Sequence, residues 1–397
     1  MGSHGIRDRV AIVGMGCTPF AEQWDKGLDD LIIEASTDAF ASAGLTKDEI
    51  DAYWFGTAQS GMSGITLARP LQLHNKPVTR VENYCTTGSE ALRAAAYAVA
   101  SGAYDVAMAV GAEKVKDSGY QGLNAMNPPS DGTARTLTAA AMFSMVAPAY
   151  GQKYGVDDET MSDVLAAIAV KNHFNGARNP RAQFRREITA EAAKASPRLA
   201  GTLGVFDCAG VADGSAAAIV VRAEDATKFT DKPLYIKALS FAAGSGSGLI
   251  DPGYDYTHFP ECEATARDAY EQAGITDPCR QLAMAEVHDC FTPTELVLME
   301  DLGFAARGTA WKEVLDGTFT LHGDLPVNPD GGLKSFGHPV GASGLRMLFE
   351  CWLQMRGEAT PERQITTTDR GLALTHNLGG YPGEMVSFVS VVGTELG

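Results

Sequence analysis

Cys85-Thr86-Thr87-Gly88-Ser89-Glu90-Ala91-Leu92-Arg93 and His338-Pro339-Val340-Gly341-Ala342-Ser343-Gly344-Leu345-Arg346 lie 253 positions apart, with Gly, Leu and Arg in register. Each leads into a helix rich in small residues, predicted over 91–101 and 345–356. A second pair repeats at an offset of 230: Asp38-Ala39-Phe40 with Ala43-Gly44-Leu45-Thr46, and Asp268-Ala269-Tyr270 with Ala273-Gly274-Ile275-Thr276. Both members read as a helix closed by a C-cap glycine, followed by an apolar strand at 52–55 or 282–287. Two repeats in the same order predict a duplicated α/β unit. A pseudo-twofold axis would carry both helix starts towards one place, one presenting a thiol and the other an imidazole.

The rest of the chain fits round this frame. Further strands are predicted at 9–12, 216–221, 235–239 and 385–392. Between the halves, residues 115–205 change character: they hold Asn127-Pro128-Pro129, a Met- and Ala-rich stretch at 138–150, and a basic run from Arg178 to Arg186. That segment reads as an inserted loop domain with its own helices. The predicted organisation is an N-terminal half, 1–114 with 206–230, the loop domain at 115–205, and a C-terminal half at 231–397.

The 397 residues carry a net charge of −17, with 45 % hydrophobic and 20 % charged residues. A nucleic-acid binder would show a basic face, and none is visible. Seven dispersed cysteines without a C-x-x-C pair fit reduced thiols rather than a disulfide framework. The most apolar stretch, 91–111, is broken by Arg93 and Asp105 and is not a membrane span. The expectation is a soluble, cytoplasmic protein.

Cys85 falls between a strand-like segment and a helix, where free N–H groups and the helix dipole favour a thiolate. His338 is the base that the repeat supplies. His288-Asp289-Cys290-Phe291 follows an apolar strand, a common place for active-site polar groups in α/β folds. His288 reads as a hydrogen-bond donor and Cys290 as a second acid/base thiol. No metal is expected, because further ligands at zinc spacing are missing. His376-Asn377-Leu378-Gly379-Gly380-Tyr381-Pro382-Gly383 reads as a glycine-rich loop able to give N–H groups to an oxyanion. Val13-Gly14-Met15-Gly16 lacks the third glycine of a dinucleotide fingerprint, Pro19 standing in its place, so that reading is rejected.

These motifs, together with Gly111-Ala112-Glu113-Lys114 and Asp213-Gly214-Ser215-Ala216-Ala217, resemble those of the thiolases, specifically the sterol-carrier-protein type, over nearly the whole chain. The resemblance implies a duplicated five-layered αβαβα thiolase fold with an inserted loop domain, and an acyltransferase usually found as a dimer. By the same resemblance Cys85 is the acyl-carrying nucleophile and His338 its activator. His288 stands where classical thiolases place Asn in the first oxyanion hole, and Cys290 is the acid/base cysteine. Gly380 would serve a second oxyanion hole. His376 occupies the place of the classical second cysteine, and its role stays open.

The resemblance further implies coenzyme A as co-substrate and no tightly bound cofactor. On so acidic a protein its phosphates need local cations, for which Arg181, Arg185 and Arg186 are the candidates, with Ser245 and Ser247 in the glycine run 244–248. The pattern around 171–184 looks like bacterial and archaeal members. Several of those work with a small zinc-ribbon/OB-fold subunit, as in the benzoylsuccinyl-CoA thiolases. A homodimer or tetramer is expected. The competing readings are a retro-aldol lyase acting on acyl-CoA side chains, a decarboxylating condensing enzyme, and an inactive lipid- or acyl-CoA-binding scaffold.

Overall fold

The structure is a computed structural model that describes residues 4–118 and 138–397. Asn127-Pro128-Pro129 lies outside the described residues. The strands are β1 (Val10–Cys17), β2 (Ala52–Gly56), β3 (Val78–Val81), β4 (Val106–Glu113), β5 (Arg198–Ala200), β6 (Leu203–Gly204), β7 (Gly214–Arg222), β8 (Leu234–Ala243), β9 (Leu282–Glu286), β10 (Leu372–Tyr381) and β11 (Glu384–Gly393). All but β5 and β6, which pair with each other, join one sheet in the order β3-β2-β4-β7-β1-β8-β11-β10-β9.

That order contains the duplication. β2–β4 and β9–β10 pair parallel, β4–β7 and β10–β11 antiparallel, and β7–β1 and β11–β8 antiparallel. The counterpart of β3 is reduced to one bridge, Ala285 with Val327. The halves meet where β1 touches β8, over only Ala11–Tyr235 and Ile12–Leu234.

Helix Leu28–Ala43 covers β1, β4 and β7, and helix Pro260–Ala273 covers β8 and β11. Both end on a left-handed C-cap glycine, Gly44 and Gly274, as the repeat predicts. Between the sheet halves lie helices Thr87–Ala100 and Ser343–Arg356. They pack on each other, and the second touches strands of both halves. The order helix, sheet half, helix pair, sheet half, helix gives the five layers expected. Three apolar clusters fill the gaps: Ile32 and Phe55 in one, Leu92, Leu345 and Trp352 in the centre, Phe143, Val164 and Leu298 in the third.

Both central helices begin earlier than their apolar periodicity indicates, at Thr87 and Ser343. Their small first-turn residues serve close packing: a Cβ on Gly344 would lie 2.1 Å from Ser89 Oγ. The rejected fingerprint has a similar cause. β1 continues through it to Cys17, and a Cβ on Gly16 would lie 2.1 Å from the Ala35 carbonyl of the covering helix.

The segment between β4 and β7 contributes helices Ala139–Phe143, Val146–Tyr154, Asp158–Ala177 and Ala190–Lys194. It is docked through buried polar groups. Lys171 Nζ lies 2.6 Å from Glu295, and Asn172 Nδ2 donates to Asp289 and to Glu295, both at 2.8 Å.

One buried cation holds the C-terminal half together. Arg346, fully buried, donates to Glu286 Oε2 at 2.7 Å and to Asp330 Oδ2, and lies over the Phe336 ring. Removing one partner of such a cluster leaves uncompensated buried charge, at a cost of about 3–5 kcal/mol. Arg346→Met should therefore lower unfolding free energy by about that amount in urea titration; a loss below about 1 kcal/mol would mean the cluster is not integral to the fold.

Candidate active site

β3 ends at Val81, and Tyr84 takes the left-handed conformation, φ 49°, a sparsely populated region for a bulky residue. That turn puts Cys85 directly before the N-cap of helix Thr87–Ala100. The turn is braced by Thr86 Oγ1 to the Asn83 carbonyl (2.7 Å) and Thr87 N to the Tyr84 carbonyl (3.1 Å). In the other half, loop residues 337–342, Pro339 among them, lead to helix Ser343–Arg356.

The two helix starts do meet. His338 Nε2 lies 3.2 Å from Cys85 Sγ, and its Nδ1 lies 2.7 Å from Ser343 Oγ. Ser343 Oγ also donates its single hydrogen to the Pro339 carbonyl at 2.9 Å. It therefore accepts from His338 Nδ1–H, which leaves the Nε2 lone pair facing the thiol.

His288 crosses His338 edge to face, with ring centres 5.3 Å apart. The ligand atoms of Cys85, His288 and His338 all lie within 4.8 Å of one another. Three S,N,N donors so placed suit zinc among metals, and they are equally close enough to act on one substrate carbonyl. Cys290 Sγ lies 3.8 Å from Thr294 Oγ1 and lines the same cavity. The residue between them, Asp289, anchors the set. Its carboxylate accepts from Leu333 N (2.6 Å), Lys334 N (3.2 Å) and Asn172, and a Cβ on Gly332 would lie 2.3 Å from it. Glu113 performs a similar task across the halves, accepting from Thr57 Oγ1, from the amides of residues 58–60 and from Gly341 N. Asp289 and Ser343 stand inside quoted motifs, yet only their contacts reveal what they do.

Burial governs the protonation states. It pushes the Cys85 thiol up to about 12, helped by the charges of Glu113 and Glu82. It holds His338 down to about 3, with Arg346 assisting, and holds His288 well below its usual value, with His338 and His376 assisting. Cys290 is raised well above its usual value by burial and by Cys85. At neutral pH the resting pair is thus thiol and imidazole, each uncharged.

The cavity, of about 220 Å³, is also lined by Phe143, Leu199, Cys208, Phe291, Leu378 and Gly380. Consecutive residues, Arg198 before Leu199 and Asp207 before Cys208, line a second cavity of about 500 Å³ that also holds Lys194. Gly380 adopts φ 91° in β10. His376 lies in that strand too, and not in a loop as expected, because pairing with β11 carries residues 372–381 as strand up to the turn. His376 is fully buried, 3.3 Å from Ser387 Oγ, and pushed down to about 3 by burial.

None of the five residues assigned to coenzyme A lines the Cys85 cavity. Arg181 turns inward, donating to the Cys17 carbonyl at 2.9 Å and lying over Phe349. Arg185, Arg186, Ser245 and Ser247 are exposed.

Residues 10–224 match the family model for the thiolase N-terminal domain, and residues 247–392 the one described as thiolase C-terminal domain-like. The chain belongs to the thiolase family, and it is an acyltransferase enzyme. It is 36 % identical to an acetyl-CoA acetyltransferase of Methanothermobacter thermautotrophicus, over 95 % of this chain and 98 % of that one. It is 32 % identical to benzoylsuccinyl-CoA thiolase subunit BbsB of Thauera aromatica, over 94 % and 96 %. Among solved structures it superposes on the Ltp2-ChsH2(DUF35) aldolase with a TM-score of 0.82, 26 % identity and 98 % of each chain covered.

Because the Cys85 pKa is raised, its thiolate fraction grows about tenfold per pH unit through neutrality. Iodoacetamide alkylation of Cys85, followed by peptide mass spectrometry, should accelerate about tenfold per unit from pH 7 to 9 without levelling. A plateau reached by pH 7 would mean a preformed thiolate–imidazolium pair.

Proposed function

We propose that the chain catalyses thiolytic cleavage of a 3-oxoacyl-CoA, or the reverse Claisen condensation, through an acyl group carried on Cys85. The observation that supports this most strongly is the 3.2 Å contact between Cys85 Sγ and the unprotonated Nε2 of His338 at a helix start. A nucleophile within reach of a base whose tautomer is fixed by a third group is the arrangement that covalent catalysis needs.

In the cleavage direction, Cys85 Sγ gives its proton to His338 Nε2 and attacks the 3-oxo carbonyl. The oxyanion is met by backbone N–H groups at Cys85 and Gly380. The C2–C3 bond breaks, leaving an acyl group on Cys85 and a thioester enolate whose oxygen is held by His288 and His338. Cys290 gives its proton to the enolate carbon. The incoming coenzyme A thiol returns a proton to Cys290 and attacks the Cys85 thioester. Cys85 leaves and recovers its proton from His338, so every proton is accounted for.

Coenzyme A is the co-substrate in this reading, with no tightly bound cofactor. We place its body in the 500 Å³ cavity. Arg185 and Arg186 remain candidates for its phosphates, joined by Lys194 and Arg198 of that cavity, and Ser245 and Ser247 remain candidate hydroxyls. A homodimer fits β3, an edge strand of the sheet among the described residues. A small partner subunit of the zinc-ribbon/OB-fold kind is a further part of the proposal, and the paired name of the Ltp2-ChsH2(DUF35) aldolase supports it. Among the described residues no helix is long and apolar enough to cross a membrane, and we propose a cytoplasmic location. The likeness to that aldolase also favours a second reading, retro-aldol cleavage. Such a reaction has no use for a thiol facing a base, so we rank it second.

Incubation with acetyl-CoA should add an acetyl mass to the Cys85 peptide, absent in Cys85→Ser. His288→Ala should acylate normally but turn over about a hundredfold more slowly, the cost of one oxyanion donor being about 3–4 kcal/mol. A label elsewhere, or near-normal turnover of His288→Ala, would sink the corresponding role.

A further inference from the structure

We propose that the Cys85 cavity selects a compact, uncharged apolar acyl group, up to the size of a benzoyl or short branched chain, with Phe143 and Phe291 as its wall. The inference rests on the acyl-transfer reading above and specifies its substrate class.

The wall is built from two distant segments. Phe143 ends helix Ala139–Phe143, and Phe291 directly follows Cys290. Their rings stack at 4.9 Å and 32°, and Phe143 also meets Phe259 edge to face at 6.5 Å. Phe143 is 1 % exposed and Phe291 6 %, so neither can swing into solvent without unpacking the third apolar cluster. An antiparallel bridge from Cys208 to Phe291 fixes the backbone behind the wall. The aromatic surface therefore stands at a set place beside the reacting sulfurs.

Size and polarity point the same way. An apolar cavity of about 150 Å³ admits benzene, and this one is about 220 Å³. The space exists because Ala139 and Ala140, in the first turn of the short helix, carry only methyl groups towards it; Val340 and Leu378 close the other sides. Among the described residues lining it there is no Lys, Arg, Asp or Glu. Both lining histidines are held neutral by burial. A second carboxylate on the acyl group would enter with no counter-charge and lose its hydration, which is heavily penalised.

The test follows Cys85 acylation by intact-protein mass spectrometry with acetyl-, isovaleryl-, benzoyl- and succinyl-CoA. Isovaleryl and benzoyl should load at rates within about tenfold of acetyl, and succinyl at least roughly a hundredfold more slowly. Ala140→Phe fills the cavity without removing any existing contact. It should slow benzoyl loading at least about tenfold more than acetyl loading, and Ala139→Leu should shift the same ratio more mildly if the first variant misfolds. Succinyl loading comparable to isovaleryl would overturn the proposal, as would an equal loss of acetyl and benzoyl loading in both variants. If acetyl loads and neither larger apolar group does, the inference falls while the acyl-transfer reading stands. If wild type takes no label from any donor, the acyl-transfer reading falls and takes the inference with it.

Discussion

The site depends on one buried guanidinium. Arg346 binds Glu286, which ends β9 two residues before His288, and Asp330, just before the short helix Gly332–Phe336 that leads to His338. It sits one turn along the helix whose first residue, Ser343, fixes the His338 tautomer. Three elements that present reacting groups are thus tied to a single charge. Such a cluster is a weak source of net stability, since desolvation offsets most of its Coulomb gain. What it supplies is position. It also sets electrostatics: after burial itself, Arg346 is the group that keeps His338 from protonating, and an unprotonated His338 is what a thiol needs beside it.

The duplication explains why that node exists in one half only. The counterpart of Arg346 is Arg93, equally placed on the other central helix. Arg93 bonds to Glu90 of its own helix and lies over Phe241, half-exposed. The same divergence put a thiol at one helix start and an imidazole at the other. Two similar scaffolds meeting about an axis bring both groups to one point, and each half can then specialise. The C-terminal half gave up its fifth strand, keeping one bridge at Val327, and its loops carry three of the four reacting side chains.

This history governs what could be read from residues alone. The repeats, their C-cap glycines and the apolar strands are local patterns, and they disclosed the layers and the meeting of Cys85 with His338. His376 was misplaced because a run ending in Leu378-Gly379-Gly380 has turn composition, while its pairing with β11 is a long-range event. Arg181 looked like a ligand cation since nothing in the sequence says that it faces the Cys17 carbonyl. Asp289 escaped for a related reason: its partners, Leu333, Lys334 and Asn172, come from two other segments. Local chemistry is legible in order along the chain; burial and partnership are not.

Burial also assigns the two thiols their sequence of work. A thiol held well above its normal range releases its proton only to a strong base, and an enolate carbon is one. The Cys290 thiol is raised partly by the charge that Cys85 would bear as a thiolate. In the proposed reaction Cys85 is an uncharged thiol at rest and an uncharged thioester once acylated, so burial is what holds the Cys290 proton until the enolate carbon forms. His338 holds the Cys85 proton at that stage and donates to the enolate oxygen, while Cys290 serves the carbon. Two cysteines of one intrinsic pKa are thereby separated into nucleophile and acid by the base that faces Cys85 at 3.2 Å and by the dry cavity that holds the Cys290 proton.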